Sequence, residues 1–375
     1  MTRMVRSVLA TTVLIALSLL QSSAQAPPAA VPAFSVDARW PVLPDGWVLG
    51  EVSSVAVDGQ DHVWILHRPR TVPAARRANA APPVLEYDGD GRFVRAWGGA
   101  GAGYEWPDTE HGIFVDHNGF VWIGGNGGPD DQVLKFTRDG TFVLQIGKSG
   151  QSKGNSDTAN FYRPAEAVVH PPTNELFVAD GYGNRRVMVF DAGTGAFKRM
   201  WGAFGNRPEG PLPPSRRAEE PPPAAAVTIT DSGQGAAQFN LVHGVRVSKD
   251  GLVYVSDRAN RRVQVFTLDG KFLTQVFISR DCVSPACGNG HTAGSVAFSP
   301  DPEQRFLYVA DRSPGRIVIL DRRTLRELGS FGRAGRAPGE FNVLHHIATD
   351  AKGNIYAAEV NVGMRVQKFA IQAVR

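Results

Sequence analysis

Short apolar stretches alternate with polar turns along most of this chain, and one order of elements recurs six times. Each unit has an apolar strand, a polar turn that usually contains Gly, a second strand with a charged tip, and a third apolar strand. The third strands are the easiest to recognise: Val84–Tyr87, Val133–Phe136, Val187–Phe190, Val263–Phe266, Ile317–Leu320 and Val366–Phe369. Self-similarity of this kind predicts a repeat architecture.

Turns such as Asp88-Gly89, Asp139-Gly140 and Asp269-Gly270 follow the third strands. Asp-Gly between apolar runs indicates a hairpin, so each unit is predicted to be a four-stranded antiparallel meander. The sixth unit stops without a fourth strand, whereas the strand-like segment Ala33–Val42 precedes the first unit. We therefore predict an all-β, six-bladed β-propeller whose ring is closed by the N-terminal strand.

The N-terminus has the pattern of a signal peptide over residues 1–26. Arg3 and Arg6 precede an apolar run from Val8 to Leu20, and the segment Ala24–Ala26 offers a small-residue cleavage site. The apolar run is shorter than the ~20 residues of a membrane span, so no span is expected. Residues 27–375 are then predicted to be a single propeller domain, exported to the periplasm or the extracellular space.

The net charge of the chain restricts the kinds of partner that it could bind. The formal net charge is +4, and Arg3 and Arg6 supply two of those charges, which leaves about +2 on the mature chain. So small an excess of positive charge argues against a nucleic-acid partner. We also expect the protein to be a monomer. A Pro-rich stretch at about 206–226 separates the third and fourth units, and its composition predicts a surface loop.

The two cysteines, Cys282 and Cys287, lie in a segment that also contains Ser284, Pro285 and Gly288. Export would place them in a compartment that permits disulfides, so we expect a bridge that closes a small loop. The alternative is a metal or redox pair, which the chain disfavours because it contains no further Cys.

Histidine recurs at one register position of alternate units. Five positions before the Asp, or its equivalent, that follows the first strand stand Ser53, His111, Ala165, His243, Gly294 and His345. Alternate blades of a six-bladed ring lie about 120° apart around a channel lined by the first strands, so the three imidazoles should converge. Three imidazoles with an open position form the ligand set of a catalytic zinc site. The alternative is that each histidine begins a strand and binds a loop carbonyl.

The tips of the second strands return to the same face of the ring. They carry His67-Arg68, Asp180-Gly181-Tyr182, Asp257-Arg258 and Asp311-Arg312. Guanidinium groups suit a carboxylate substrate, and a Tyr beside a metal and an Arg can act as a base. Alternatively, the Asp-Arg pairs are salt bridges at the repeat tips.

Lead-ins such as Gln238-Phe239-Asn240 and Glu340-Phe341-Asn342 resemble those of NHL repeats, a likeness that covers about residues 34 to 370. At the tips and the histidines the chain resembles peptidyl-α-hydroxyglycine α-amidating lyase, a six-bladed propeller with a three-His zinc site. The matching motifs are His111-Gly112-Ile113, Val242-His243-Gly244, Leu344-His345-His346-Ile347, Ile65-Leu66-His67-Arg68, Asp180-Gly181-Tyr182-Gly183-Asn184-Arg185 and Ser256-Asp257-Arg258-Ala259-Asn260.

This resemblance implies an exported lyase that uses Zn²⁺, or a similar divalent metal, to cleave an N-(α-hydroxy) amide into an amide and glyoxylate. It assigns the roles residue by residue: metal ligands His111, His243 and His345, catalytic Tyr182 and Arg68, and substrate-binding Arg258.

The chain departs from that family at three positions. The family's calcium-binding Asp is His346 here, which weakens the expectation of Ca²⁺; Gly183 replaces a half-cystine, and Val343 replaces a pocket Met. Two other functions stay open, because one propeller scaffold hosts several chemistries. They are a metal-dependent hydrolase or lactonase, and a non-enzymatic NHL-repeat binding module.

Overall fold

The computed structural model describes residues 30–209, 233–282 and 291–372. The predicted signal peptide, most of the Pro-rich stretch and Cys287 lie outside these ranges, so the cleavage site, the loop and the disulfide remain predictions. No helix in the described part of the chain is long and apolar enough to cross a membrane.

The N-terminal strand β1 (Ala33–Asp37) lies antiparallel to the last strand, β24 (Arg365–Gln372), with Ala33 opposite Gln372. It supplies the fourth strand of the last blade, as the sequence predicted. The strand is shorter than the predicted segment Ala33–Val42, since it ends at Asp37.

Six four-stranded antiparallel sheets form the blades of a β-propeller, which confirms the predicted fold. The strands of blades 1 to 3 are β2 (Glu51–Val57), β3 (Val63–Arg68), β4 (Val84–Tyr87), β5 (Phe93–Trp97); β6 (Glu110–Val115), β7 (Val121–Gly125), β8 (Gln132–Phe136), β9 (Phe142–Gly147); β10 (Glu166–His170), β11 (Glu175–Asp180), β12 (Arg186–Asp191) and β13 (Phe197–Trp201).

The strands of blades 4 to 6 are β14 (Val242–Val247), β15 (Leu252–Asp257), β16 (Arg262–Thr267), β17 (Phe272–Phe277); β18 (Ala293–Phe298), β19 (Phe306–Asp311), β20 (Arg316–Asp321), β21 (Glu327–Phe331); β22 (Leu344–Thr349), β23 (Ile355–Glu359) and β24, completed by β1. Short 3₁₀ helices span Pro69–Thr71, Ala74–Asn79, Ala203–Gly205 and Arg258–Asn260. First strands of adjacent blades contact one another around the ring.

The core lies between the blades, and this explains the uninterrupted apolar runs. In β3, the consecutive residues Trp64 and Ile65 are both buried. Because successive side chains of a strand point to opposite faces, Trp64 packs between blades 1 and 2 and Ile65 between blades 6 and 1. A strand that packs against a neighbouring blade on each face has no solvent-exposed face, so polar residues do not alternate with apolar ones along it.

The first strands bulge at the register histidines. In β6, Glu110 and Gly112 face Gly125 and Gly124, which leaves His111 as the extra residue. His243 is the extra residue of β14 in the same way, and the bulge of β22 lies between Leu344 and Ile347. A β-bulge bends its strand and re-aims a side chain, so these bulges give the histidines their direction.

A buried ion pair supports the tip of blade 3. Arg186 Nε donates to Asp180 Oδ2 at 2.8 Å, and neither side chain is exposed. Arg186 also donates to the carbonyls of Asp157 and Asn160. The same pair recurs in blade 4, where Arg262 binds Asp257 at 2.8 Å. Arg262 is thus the partner of Asp257, and the adjacent Arg258 turns elsewhere.

Replacing the buried guanidinium by an apolar chain, Arg186→Met, is expected to lower the free energy of unfolding by about 3–5 kcal/mol, because the carboxylate of Asp180 would stay buried without its cation. Urea unfolding measures this change. Arg92→Met is the control, since Arg92 pairs with Asp88 and Asp90 at the surface and should change little. Equal, small shifts in both variants would contradict the expectation.

Candidate metal centre

Three imidazoles are each held by the backbone of the next blade. His111 Nδ1 lies 2.7 Å from the carbonyl oxygen of Ala165, and His243 Nδ1 lies 2.6 Å from that of Gly294. His345 Nδ1 lies 2.6 Å from the carbonyl oxygen of Ser53. Since a carbonyl can only accept, each Nδ1 carries the proton and each Nε2 presents a lone pair. The expected carbonyl bonds exist, but they leave the second nitrogen of each ring for other partners.

These second nitrogens converge. His243 Nε2 lies 3.1 Å from His345 Nε2, and the ring centroids of His111 lie 4.9 Å and 4.8 Å from those of His243 and His345. Two lone pairs at that separation repel unless a cation lies between them. Tetrahedral zinc, with bonds of about 2.0–2.1 Å, needs ligand nitrogens about 3.3 Å apart, so the donor set fits such an ion.

Burial lowers the pKa of His111, His243 and His345 well below the ordinary histidine value. The neighbouring His346 acts in the same direction on the pKa of His111 and His345, and the Arg258 guanidinium on that of His243. The three rings are therefore neutral at physiological pH, which is the protonation state that binds metals.

Tyr182 lies against this cluster. Its hydroxyl oxygen is 2.9 Å from His111 Nε2 and 3.2 Å from His243 Nε2. The preceding residue allows this approach, because a Cβ on Gly181 would lie 2.1 Å from the carbonyl oxygen of Val242, directly before His243. The tip of blade 3 thus reaches the first strand of blade 4 only with Gly at that position.

Arg258 is the guanidinium that reaches the phenol. Its Nη1 donates to Tyr182 Oη at 3.3 Å, and its Nη2 donates to His291 Nδ1 at 3.1 Å. Burial lowers the pKa of His291 to about 3, helped by Arg258 and Arg312. His291 is therefore neutral and accepts from Arg258, which fixes the orientation of the guanidinium.

Arg68 is bound by residues of blades 1 and 2. Its Nη1 forms an ion pair with Glu51 at 2.6 Å, its Nε donates to the Glu110 carbonyl, and its Nη2 lies 3.3 Å from Asn126 Oδ1. Its charge still lowers the pKa of His111, although burial contributes more. Arg68 therefore acts on the cluster through its charge, whereas Arg258 donates directly to the phenol.

Asn126 joins two arginines of the site. Its carbonyl accepts from Arg163 Nε at 2.7 Å, while its side-chain oxygen faces Arg68. The guanidinium carbon of Arg163 lies 5.8 Å from the ring centroid of Tyr182, and that of Arg258 lies 5.7 Å from it. The backbone of Arg163 is in the left-handed region, at φ 63°. Few non-glycine residues adopt this conformation, and those that do are concentrated at functional sites.

A further imidazole lies beside the cluster. The ligand atoms of His111, His243 and His346 all lie within 4.8 Å of one another. Of the two adjacent histidines in the last blade, we take His345 as the main ligand, because its Nε2 directly faces that of His243.

A second group of side chains that could ligate a metal consists of Asp58, His62 and Glu86. This group already has a cation, since Arg138 pairs with both carboxylates.

Sequence reasoning missed four residues of this site: Asn126, Arg163, His291 and His346. Asn126 follows the second strand of blade 2, the position that Arg68 and Arg258 mark in blades 1 and 4, so the repeat alignment could have found it. Arg163 and His291 belong to loops between blades, where no periodic signal exists.

These features define a six-bladed β-propeller with an NHL repeat and a buried imidazole cluster at the first strands of alternate blades. The profile of the NHL repeat family matches residues 239–266, which include β14, β15 and all but the last residue of β16.

The similar proteins are named either as NHL repeat-containing proteins or as amidating enzymes. NHL repeat-containing protein 3 of Mus musculus is 28% identical over 90% of this chain and 84% of its own length. Peptidyl-glycine alpha-amidating monooxygenase A of Xenopus laevis is 30% identical over 89% of this chain, but the match spans only 33% of that protein. A probable peptidyl-alpha-hydroxyglycine alpha-amidating lyase of Caenorhabditis elegans is 26% identical over 58% of this chain and 56% of its own.

Proposed function

We propose that this protein is an exported, metal-dependent lyase that cleaves an N-(α-hydroxy)glycine amide into an amide and glyoxylate. The observation that carries the proposal is the convergence of the lone-pair nitrogens of His111, His243 and His345, the first two of which contact the hydroxyl of Tyr182. The relatives named as amidating enzymes support the same chemistry.

The three imidazoles would hold Zn²⁺ or a similar divalent ion. When bound, such an ion acts as a Lewis acid that lowers the pKa of a coordinated hydroxyl. The fixed Nδ1 bonds matter here, because an imidazole whose other nitrogen is anchored keeps its tautomer and its direction. The protein would therefore present a site that needs little rearrangement on metal binding.

Tyr182 is the proposed base. Its oxygen would take the proton of the α-hydroxyl; the C–O bond then becomes C=O while the C–N bond breaks. The departing nitrogen takes a proton back from Tyr182, so the products are a neutral amide and glyoxylate, and the tyrosine is restored. The guanidinium of Arg258, 3.3 Å from this oxygen, would stabilise the phenolate form.

Arg258 would also hold the carboxylate of the substrate, and its bond to His291 would keep the guanidinium in position. We expect Arg258→Ala to lower kcat/KM by about 10- to 100-fold, the effect of losing a hydrogen bond to a charged group. Arg258→Lys keeps the charge near Tyr182 but loses the bidentate geometry, so it should raise KM more than it lowers kcat. Steady-state kinetics separates the two. Unchanged KM in both variants would exclude a carboxylate contact.

Metal analysis tests the proposal against its non-enzymatic rival. Protein purified without chelators should contain about one divalent ion per chain, and a strong chelator should abolish turnover until metal is restored. A binding module that uses the propeller face has no need of the ion. Metal-free protein that stays metal-free in the presence of zinc would contradict the proposal.

A further inference from the structure

The last blade places two adjacent histidines on one side of its first strand. The bulge between Leu344 and Ile347 sets both His345 and His346 against the single residue Ala358 of β23. In a regular strand, adjacent side chains point to opposite faces, and the bulge removes that alternation. The two ring centroids are 4.7 Å apart as a result.

Both rings are anchored at the same atom. His345 Nδ1 lies 2.6 Å and His346 Nδ1 lies 2.8 Å from the carbonyl oxygen of Ser53. A carbonyl oxygen has two lone pairs, so it can accept from both rings at once. His346 therefore has the same tautomer as His345, with its lone pair on Nε2.

Among the described residues that nitrogen makes no well-formed hydrogen bond, although the backbone of His243 lies near the ring. His346 is fully buried, and its Nε2 is one of the few buried polar atoms in the described ranges without such a bond. An unpaired buried polar group is costly, which calls for an explanation. Its ligand atom lies within 4.8 Å of those of His111 and His243, the distance range of a group that could hold an ion.

We propose that His346 is an alternative metal donor: the ion is held by His111, His243 and either His345 or His346. The inference rests on the proposed metal site and goes beyond it in giving one coordination position two interchangeable imidazoles. The rings lie at 87° to each other and diverge from a common anchor, so they offer two directions of approach from the same blade. His111 and His243 come from other blades and have no such neighbour among the described residues.

The test compares zinc content and zinc affinity across four variants of the full chain. His345→Ala should keep about one zinc per chain with weakened affinity in a competition assay with a chromophoric chelator, because His346 replaces the lost donor. His243→Ala and the double variant His345→Ala/His346→Ala should both lose zinc. Ser54→Ala is the matched control, since Ser54 occupies in blade 1 the position that His346 occupies in blade 6, and it should leave zinc binding unchanged.

If His345→Ala lost zinc as completely as the double variant, His346 would not be a donor and the inference would be wrong. Should the alanine variant fail to fold, His345→Asn keeps an N–H donor for the Ser53 carbonyl and carries the same expectation. Cobalt loading gives a second measurement, because intense visible bands of a four-coordinate ion should persist in the His345 variant and vanish in the double variant.

These results separate the inference from the proposed function. Zinc bound by the native chain but lost in the single His345 variant overturns the alternative donor alone. A native chain that binds no zinc overturns both. Zinc retained in His345→Ala supports the alternative donor whatever reaction the protein catalyses, since no step of the measurement depends on turnover.

Discussion

Tyr182→Phe is expected to keep its metal and to lose about 10²–10⁴-fold of kcat with an N-acyl-α-hydroxyglycine substrate, the usual effect of removing a general base. The substitution deletes one oxygen and leaves the ring beside the guanidinium groups of Arg163 and Arg258. The imidazoles keep their carbonyl anchors, so the metal site should be unaffected. Kinetics and metal analysis on the same preparation measure both quantities.

Tyr87→Phe is the matched control for that experiment. The Tyr87 hydroxyl is buried in blade 1 and has no hydrogen-bond partner in the described part of the chain, so its removal should change neither stability nor activity appreciably. A Tyr182→Phe variant with nearly full activity would show that the phenol is not the base. It would favour a hydrolase that uses a metal-bound water.

The second large effect is expected for His243→Ala, which should reduce the metal content from about one ion per chain to nearly none and abolish activity. His243 is central to the cluster, because its Nε2 faces both His345 Nε2 and the oxygen of Tyr182. Its removal leaves donors from only two of the three blades. Elemental analysis after gel filtration gives the occupancy.

His170→Ala is the control for the loss of a histidine as such. His170 ends β10 and its Nδ1 pairs with Thr173, so it is buried in blade 3 without any contact to the cluster. Its substitution should leave metal content unchanged. Full metal content in His243→Ala would contradict the assignment of the ligands.

The repeat predicted the fold in detail, and physical reasons explain why. Each blade must bury both faces, so its strands are short apolar runs bounded by turns, and the spacing of those runs locates the strands. The Asp used to align the units also has a structural role. Asp116, for example, accepts from the N–H groups of Asn118 and Phe120, which fixes the turn after the first strand. Ring closure by β1 followed from the missing fourth strand of the last unit.

The candidate site was predictable only where it follows the repeat. His111, His243 and His345 share a register, so the ring symmetry brings them together. Contacts made by loops have no such symmetry, and the bond of Arg258 to His291 could not be derived from spacing. The pairing of Asp257 with Arg262 could not be predicted either, because the sequence alone does not say whether Arg258 or Arg262 turns towards the carboxylate.

The position of the His346 ring could not be predicted, for a different reason. A strand that alternates regularly would direct it away from His345, and only the bulge of β22 places both rings at the Ser53 carbonyl. Bulges depend on backbone pairing with the adjacent strand, which a single sequence does not reveal.

The most direct test of the proposed chemistry is product analysis with α-hydroxyhippurate, the smallest analogue that contains the hydroxyl, the carboxylate and the amide. Metal-loaded protein should release benzamide and glyoxylate in equal amounts, at a rate well above that without protein and above that of Tyr182→Phe. Fully metal-loaded protein that releases no glyoxylate, yet hydrolyses simple esters or lactones regardless of Tyr182, would contradict the lyase and leave the metal site standing.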